Sequence, residues 1–355
     1  MTEHLYVHIP YCRRVCPYCD FVCSSPDKLP PSEQYVRAVL RDLDAVEGRF
    51  ETIYMGGGTP TELPIRDLDR LLAGLAARRR ENCEWSIEGN PESFTSETAA
   101  LLRQRGVNRL SLGFQSASDE VLKKLGRSHR HADNIRALDF AREAGFTNIS
   151  GDLIFGLPED HLAETISFFA ERKLTHVSAY ELTIEGESTW SLRKFDPSAG
   201  EDEKFAQLSR VVPLLEFAGF LRYEVSNFAR SGFECRSHLN VWHAGEYAGI
   251  GAGAHGHENG IRYANTESSS EFLSGPHRTV DAIENLAAET MLLVSRLPQG
   301  IAITDLPPHR RSALANRHTE LAALRDDGFI ELTETIIRPT AKGLLFVNEI
   351  GLRMA

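Results

Sequence analysis

The feature that most constrains the fold is a regular alternation of strand-like and helix-like segments over roughly the first 220 residues. Short apolar runs such as LYVHI, TIYM and RLSLG are each followed by a segment in which apolar residues recur at helical spacing. SETAALLRQRG is one such helix, with Ser96 predicted as its N-cap and Gly106 just past its end. Repeated strand–helix units imply right-handed crossovers and a parallel sheet, so we predict an α/β fold, most simply a partial (β/α)6 barrel. A site is then expected at the carboxyl ends of the strands.

The alternation stops after residue 220. RYEVSNFA reads as one further strand, YAGIGAGAHG as a glycine-rich turn region, and residues 268–276 as a polar linker. The remainder is mostly helical and contains a hairpin followed by a helix, which is typical of a small winged-helix-like domain. We therefore predict three parts, namely a barrel over residues 1–220, an extension over 221–275 and a C-terminal domain over 276–355.

Charge and cysteine content narrow the class of protein. The net charge of −11 argues against a nucleic-acid binder, because phosphate binding depends on positive charge. No apolar run has the length of a membrane-spanning helix, and the first residues do not resemble a signal peptide, so we predict a cytoplasmic protein. Six cysteines in 355 residues are too few for a disulfide scaffold, and clustered cysteines in the cytoplasm favour a metal site or catalysis.

Such a cluster stands at the start of the chain, in HIPYCRRVCPYCDF. Cys12, Cys16 and Cys19 follow the first predicted strand, and Cys23 comes shortly after them. Four thiolates suit a structural zinc site, although such sites usually take two ligands from each of two separated loops. Three thiolates suit a 4Fe-4S cluster with one iron left open for another ligand. The cysteine loop alone leaves both sites open, with Cys12, Cys16 and Cys19 as the three ligands of a cluster or with Cys23 added to them in a zinc site.

A second motif, YMGGGTP, follows the second predicted strand. Glycines without side chains let the backbone approach a ligand closely, although on their own they more readily fit a tight turn. The glycines and Thr59 fall at the carboxyl end of the second predicted strand, beside the cysteine loop that follows the first.

The spacing CxxxCxxC after the first barrel strand resembles the radical S-adenosylmethionine (SAM) enzymes. Together with GGGTPTEL, EGNPES, GVNRLSLGFQSASDEVLKKLGR, GDLIFGLP, YELTIEGES, RYEVSNFA and GIGAGAHG, it resembles the HemW-type heme chaperones, paralogues of the oxygen-independent coproporphyrinogen III oxidases often called HemN. The resemblance implies a 4Fe-4S cluster that is held by Cys12, Cys16 and Cys19 and whose open iron binds SAM. It also implies that Cys23 is a spare thiol, because a fourth thiolate would occupy the position that SAM needs. By position it places the SAM contacts at Tyr6, Tyr18, Gly57, Gly58, Thr59, Glu88, Gln115, Arg127 and Asp152, with His255 lining the SAM side of the cavity.

The chemistry of these residues suits that assignment. Glu88 and Asp152 can accept hydrogen bonds from ribose hydroxyls or from the amino group of SAM, and Gln115 can both donate and accept. Arg127 can pair with a carboxylate in fork geometry. Without the resemblance, each would read as a solvated strand end or helix flank.

Two features favour the chaperone branch over the oxidases. The oxidases usually have a longer N-terminal extension and a fourth cysteine in a CxC arrangement, whereas this chain reads Cys19-Asp20-Phe21.

The HNxxYW heme motif of the chaperones corresponds here to CRSHLNVW, in which Ser237 replaces the histidine and only Trp242 is kept. His238 and Cys235 are the candidate heme ligands in this stretch, because His and Cys are common axial ligands.

We therefore expect a radical SAM protein that binds heme and delivers it to acceptor hemoproteins such as respiratory enzymes, with no nucleic-acid partner. Whether SAM is cleaved in this role is left open, and coproporphyrinogen oxidase activity is expected to be absent. The alternatives are an oxidase or other radical enzyme acting on tetrapyrroles, and a structural protein with a zinc loop.

Overall fold

The computed structural model describes residues 2–158 and 161–355. Its centre is a nine-stranded sheet. The first six strands are β1 (His4–Ile9), β2 (Phe50–Gly57), β3 (Arg79–Gly89), β4 (Arg109–Gln115), β5 (Asn148–Phe155) and β6 (His176–Glu181). They lie side by side in chain order, and each pairs in parallel with the next. This order is the predicted parallel arrangement of six strand–helix units.

Helices connect these strands and pack against the sheet. They are α1 (Ser32–Asp44), α2 (Ile65–Ala76), α3 (Ser96–Arg105), α4 (Asp119–Lys124), α5 (His131–Glu143), α6 (Leu162–Glu171), α7 (Thr189–Leu192) and α8 (Glu201–Phe217), with 3₁₀ turns at Pro26–Lys28 and Pro60–Glu62. Apolar residues of the helices and strands share one continuous core, in which Leu71 of α2 and Trp85 of β3 are fully buried. Burial of these apolar faces is the main force that holds the helices on the sheet.

Helix α3 shows how local sequence sets an element's limits. The hydroxyl of Thr95 accepts a hydrogen bond from the backbone N–H of Thr98 at 3.1 Å, so the N-cap is Thr95 and the prediction of Ser96 is wrong by one residue. Both residues carry a capping hydroxyl, and the sequence alone does not rank them. Gly106 follows the helix with φ of +99°, as predicted, because glycine tolerates this left-handed conformation.

The remaining strands of the central sheet come from residues beyond 220. RYEVSNFA forms two short strands, β7 (Leu221–Arg222) and β8 (Asn227–Ala229), which pair antiparallel, so the single predicted strand is wrong. A turn interrupts it, in which the carboxylate of Glu224 accepts from the Asn227 side chain at 2.6 Å. The predicted glycine-rich turn contains a strand, β9 (Ala248–Ile250), which pairs in parallel with β1. The division at residue 220 stays a prediction.

Helix α9 (Arg236–Trp242) lies between β8 and β9. Because β8 is next to one edge of the sheet and β9 forms the other edge, residues 230–247 carry the chain from one side of the sheet to the other. Helix α9 lies within this connection, with His238 against Tyr54 of β2 and its first turn against Glu84 of β3.

The C-terminal part is mostly helical. It contains β10 (His255–Glu258), β11 (Ile261–Ala264), α10 (Ser269–Phe272), β12 (Thr279–Asp281), α11 (Leu286–Val294), β13 (Ile301–Ala302), a 3₁₀ turn at Ile303–Asp305, α12 (Pro308–Ala315), α13 (His318–Asp326), β14 (Ile330–Leu332), β15 (Ile336–Pro339), α14 (Ala341–Leu345) and α15 (Val347–Arg353). The predicted polar linker contains α10, whose Phe272 is buried against Tyr35. Helices α11, α12, α13 and α15 share a hydrophobic cluster with strands β13 to β15, around Met291 and Ile350. Across residues 2–158 and 161–355, no helix combines the length and apolar character needed to cross a bilayer.

Candidate functional site

A cavity of about 410 Å³ opens at the carboxyl ends of the barrel strands, as predicted for a parallel barrel. Its lining includes all four thiols of the cysteine loop and most of the residues predicted to contact SAM. These are Cys12, Cys16, Tyr18, Cys19, Cys23, Gly57, Gly58, Thr59, Glu88, Gln115, Arg127 and Asp152. The fold thus brings together side chains that come from five different strand ends and are far apart in the sequence.

The cysteine loop connects β1 to α1 and is closed by its own backbone. Tyr11 and Ser24 form a parallel bridge, with the N–H of Cys12 donating to Ser24 O at 3.0 Å and the N–H of Ser24 donating to Pro10 O at 2.9 Å. A further backbone bond joins Cys19 N–H to Cys16 O at 3.0 Å. These bonds turn the thiols toward the same cavity before any ligand is present.

Cys23, which was predicted to be a spare thiol, contacts two other thiols of the cysteine loop. Its thiol hydrogen-bonds with those of Cys12 and Cys19. In the part of the chain that the structure describes, no three or more His, Cys, Asp or Glu side chains are arranged to hold a single metal ion. A four-iron cluster has separate irons for separate thiolates, so its ligands need not converge on one point. The arrangement is therefore compatible with the predicted cluster.

Two of the thiols receive hydrogen bonds from neighbouring side chains. The hydroxyl of Thr59 donates to Cys12 Sγ at 3.6 Å, and the guanidinium of Arg127 donates to Cys16 Sγ at 3.2 Å. Hydrogen bonds from Cys23 and Thr59 lower the pKa of Cys12 to about 6, although burial opposes them. Such donors favour the thiolate, which is the form that binds iron.

Arg127 is held in place by partners that the sequence reasoning did not single out. Its guanidinium donates to Asn90 Oδ1 at 2.5 Å and to Gly113 O at 3.2 Å, and it lies 4.0 Å from Glu92. Glu92 also lies 3.3 Å from the ring of His129. Asn90 and Glu92 belong to EGNPES and follow the carboxyl end of β3, where a site is expected. Their position in the sequence was therefore the signal that could have identified them as candidate site residues.

The carboxylates of Glu88 and Asp152 are deep in the same cavity. Glu88 accepts from the Tyr54 hydroxyl at 2.8 Å and from the Gly57 N–H at 3.2 Å, and Asp152 accepts from the Ser111 hydroxyl at 3.3 Å. Burial raises the pKa of Glu88 to about 7, and the neighbouring Asp152 contributes to this rise. Burial likewise raises the pKa of Asp152 to about 6. Two carboxylates close together at this depth favour a cationic ligand.

The glycines after β2 make room for protein groups. A side chain at Gly56 would meet the Glu88 carboxylate at 2.7 Å, and one at Gly57 would meet the His8 ring at 2.5 Å. The space beside these glycines, which the sequence predicted for a ligand, is therefore occupied by the side chains of Glu88 and His8.

Gln115 has the conformation of a residue that faces a ligand. It ends β4 with φ of +62°, in the left-handed region that few residues other than glycine adopt. Its side-chain oxygen is buried and has no partner among the described residues. Strain and an unpaired buried acceptor at the same cavity wall indicate a position kept for binding.

Comparisons with known proteins agree with this geometry. The model of the Radical SAM superfamily matches residues 6–169. The heme chaperone HemW of Bacillus subtilis is 32% identical, with an alignment that covers 97% of each chain. The chain belongs to the HemW family. The heme chaperone HemW of Escherichia coli is 37% identical over 71% of this chain and 69% of its own length.

A solved structure supports the fold assignment of this HemW-family chain. Coproporphyrinogen III oxidase (HemN) from Escherichia coli, described as a radical SAM enzyme, superposes with a TM-score of 0.83 at 23% identity, covering 99% of this chain and 89% of that one. The predicted family and the predicted α/β radical SAM fold are thus confirmed.

A second cavity, of about 510 Å³, lies beside the first in this HemW-family chain. It is lined by aromatic and apolar side chains together with three histidines, namely Leu5, Tyr6, His8, Phe21, Val22, Tyr54, His238, Val241, Tyr247 and His255. Asp20 and Phe21 line both cavities, so this part of the cysteine loop separates them. Tyr6 and His255, predicted with the SAM contacts, lie in the second cavity, and Tyr6 Oη is 3.0 Å from His8 Nδ1.

The helix that carries the altered heme motif forms one wall of this second cavity. Ser237 and His238 face the cavity, and the rings of His238 and Tyr54 lie 5.2 Å apart. His238 Nδ1 is buried without a partner among the described residues, and burial lowers the pKa of His238 to about 4. The imidazole is therefore neutral at physiological pH, which is the form that binds metals.

The other two predicted heme residues lie outside the lining of either cavity. Cys235 is fully buried, and its thiol points to Glu84 Oε1 at 3.7 Å. Burial raises the pKa of Cys235 to about 12, so the thiol is neutral. Trp242 packs under the guanidinium of Arg296, which lies 4.3 Å from the ring centroid. Of the three residues, the fold brings only His238 to a cavity.

Proposed function

We propose that this chain binds heme in the second cavity and delivers it to acceptor hemoproteins such as respiratory enzymes. The observation that carries the proposal is His238, a neutral imidazole that faces a cavity with aromatic walls in a chain of the HemW family. Imidazole is a common axial ligand of heme iron. His255 faces the same cavity and is the second candidate.

The proposal includes a 4Fe-4S cluster and SAM in the first cavity. Cys12, Cys16 and Cys19 would each hold one iron, which leaves the fourth for the amino and carboxylate groups of SAM. When bound, the reduced cluster supplies one electron for cleavage of SAM. The chain's own contribution is to orient and desolvate the ligands, with Glu88 and Asp152 as acceptors for the ribose hydroxyls or the amino group of SAM. A cytoplasmic location belongs to the same proposal, because the thiols must be kept reduced.

Heme titration of the anaerobically reconstituted protein tests the function, with binding read from the absorption spectrum. We expect about one heme per chain. His238→Ala should shift the Soret band and weaken binding at least tenfold, about 1.4 kcal/mol. Ser237→Ala, one residue away on the same cavity wall, is the matched control and should bind as wild type.

The possible results distinguish a wrong function from a wrong assignment of the axial ligand. A wild-type protein that binds no heme contradicts the proposed function. Heme binding that is unchanged in His238→Ala contradicts only the ligand, and His255→Ala is then the next variant to measure.

A further inference from the structure

Cys12 and Cys16 are joined by a chain of hydrogen bonds through three other side chains. Thr59 Oγ1 lies 3.6 Å from Cys12 Sγ, and Asn90 Nδ2 lies 2.8 Å from Thr59 Oγ1. Asn90 Oδ1 lies 2.5 Å from a guanidinium nitrogen of Arg127, whose other terminal nitrogen lies 3.2 Å from Cys16 Sγ. Asn90 is the middle member and touches neither thiol.

The chemistry of Arg127 fixes the direction of every bond in this chain. A guanidinium has donors only, so the oxygen of the Asn90 amide must face Arg127. The amide nitrogen then faces Thr59 and donates to its hydroxyl oxygen. Because the Asn90 nitrogen is a donor, the Thr59 hydroxyl cannot donate to it. The hydroxyl proton therefore points at Cys12 Sγ. Both thiols consequently receive a donor.

The surroundings hold this orientation. Thr59 is 1% exposed and the Arg127 side chain 6% exposed, so water does not compete freely for either. Gly113 O accepts a further bond from Arg127, and a Cβ at Gly113 would come within 2.5 Å of Asn90 Oδ1. The Asn90 carbonyl accepts from the N–H groups of Ser93 and Phe94 at 3.0 and 3.1 Å. Asn90 is thus fixed at its backbone carbonyl and at both the oxygen and the nitrogen of its side-chain amide.

We propose that Asn90 is a positioning residue that directs the Thr59 hydroxyl onto Cys12 and thereby raises the reduction potential of the cluster. This inference rests on the proposed function, because it needs the cluster to be held by Cys12 and Cys16. Hydrogen bonds to ligand sulfurs are among the factors that set cluster potentials. They stabilise the reduced cluster more, since it carries more negative charge.

The variant Asn90→Asp keeps the shape of the side chain and changes its polarity. A carboxylate accepts from Arg127 as before but also accepts from the Thr59 hydroxyl, which turns that proton away from Cys12. At a fixed potential, we expect the ratio of reduced to oxidised cluster to fall about tenfold in an EPR-monitored titration. For a one-electron couple this corresponds to about 59 mV.

The added negative charge also lowers the potential, and a double-mutant cycle separates the two effects. Thr59→Val removes the hydroxyl at nearly the same volume. Asn90→Asp should then shift the potential clearly less in the Thr59→Val background than in wild type, because only the charge effect remains. Equal shifts in the two backgrounds overturn the proposal.

Thr59→Ser is the matched control, because it keeps the hydroxyl and should keep the wild-type potential. If Asn90→Asp does not assemble a cluster, Thr59→Val is compared with Thr59→Ser. Equal reduction potentials in these two variants overturn the proposal, because the Thr59 hydroxyl then has no effect on the cluster. If wild type itself assembles no cluster under reconstitution, the proposed cofactor fails, and this role fails with it. Iron and sulfide analysis distinguishes that result from a shifted potential.

Discussion

At the scale of single residues, the four thiols of the cysteine loop differ in their neighbours. Cys16 faces the Arg127 guanidinium, Cys12 faces the Thr59 hydroxyl, and Cys23 hydrogen-bonds with both Cys12 and Cys19. The sequence predicted which thiols share a cavity, because their spacing within one loop after a strand limits where they can go. It did not predict the contacts of Cys23, which depend on the bridge between Tyr11 and Ser24.

Substitution of the cysteines one at a time tests their roles. Cys12→Ala, Cys16→Ala and Cys19→Ala should each lose most of the iron and sulfide after anaerobic reconstitution, because each removes one of three protein ligands. Cys23→Ala should keep the cluster. Metal analysis that finds as little iron in Cys23→Ala as in Cys16→Ala, or that finds zinc in wild type, would speak against the three-thiolate site.

The pair Glu88 and Asp152 predicts how SAM binding depends on pH. Their raised pKa values, about 7 and about 6, mean that acidification protonates them and removes the negative charge that attracts the cationic ligand. Affinity for SAM should therefore be highest above pH 7 and fall toward pH 5, approaching tenfold per unit for one required carboxylate, about 1.4 kcal/mol. Calorimetric titration from pH 5.5 to 8 measures this.

Glu88→Gln serves as the control for that profile. It should bind SAM ten- to a hundredfold more weakly at pH 8, since a hydrogen bond to a charged group contributes roughly 1.5–3 kcal/mol. The part of the pH dependence near pH 7 should disappear in this variant. A profile identical to that of wild type would assign the titration to another group.

At the scale of elements, helix α9 is anchored through its first turn. The carboxylate of Glu84 on β3 accepts from the N–H of Arg236 at 2.9 Å and from that of Ser237 at 3.4 Å. A carboxylate in this position satisfies donors that have no partner within the helix and interacts favourably with the helix dipole. The cavity wall that carries His238 is thus tied to the barrel.

Glu84→Ala should loosen α9 without affecting the cysteine loop. Loss of such a cap costs about 1–2 kcal/mol, so amide hydrogen exchange in residues 236–239 should become roughly 5- to 30-fold faster. Glu84→Gln keeps one acceptor oxygen and should show a smaller change. Exchange rates that match wild type in Glu84→Ala would mean that other contacts hold the helix.

The elements that the sequence predicted are the ones with strong local signals. The six barrel strands and their helices follow from apolar periodicity, and Gly106 follows from the requirement for positive φ. Strand β9 was missed because it is three residues long, contains glycine and is specified by its pairing with β1. Helix α10 was missed although Ser268 caps it by accepting from the N–H of Glu271 at 3.3 Å, because the helix is four residues long and also depends on burial of Phe272 against Tyr35.

At the scale of the whole molecule, the fold alone does not separate the chaperone from the oxidase. The chain shares its architecture with coproporphyrinogen III oxidase at 23% identity, and one fold can host different activities. The difference must lie in the sites. In the cysteine loop, Cys19-Asp20-Phe21 lacks the fourth cysteine that the CxC arrangement of the oxidases has, and Phe21 is 68% exposed at the boundary of the two cavities.

We therefore expect the reconstituted protein to leave coproporphyrinogen III unconverted when SAM and a reductant are supplied under anaerobic conditions. Chromatography of the porphyrins after oxidation measures this, with coproporphyrinogen III oxidase of Escherichia coli as the positive control. Formation of protoporphyrinogen by this chain, without heme binding, would favour the oxidase alternative.

The path of residues 230–247 from one edge of the sheet to the other bears on the order of folding. Strand β9 pairs with β1, although the two lie at opposite ends of a chain segment that contains the entire barrel. Contacts between distant parts of a chain form slowly, because the entropy of closing a long loop must be overcome before the contact is gained. We therefore expect helix α9 to pack in place after the six strands have assembled. In a nascent chain, the proposed heme site would therefore be expected to form after the proposed cluster site.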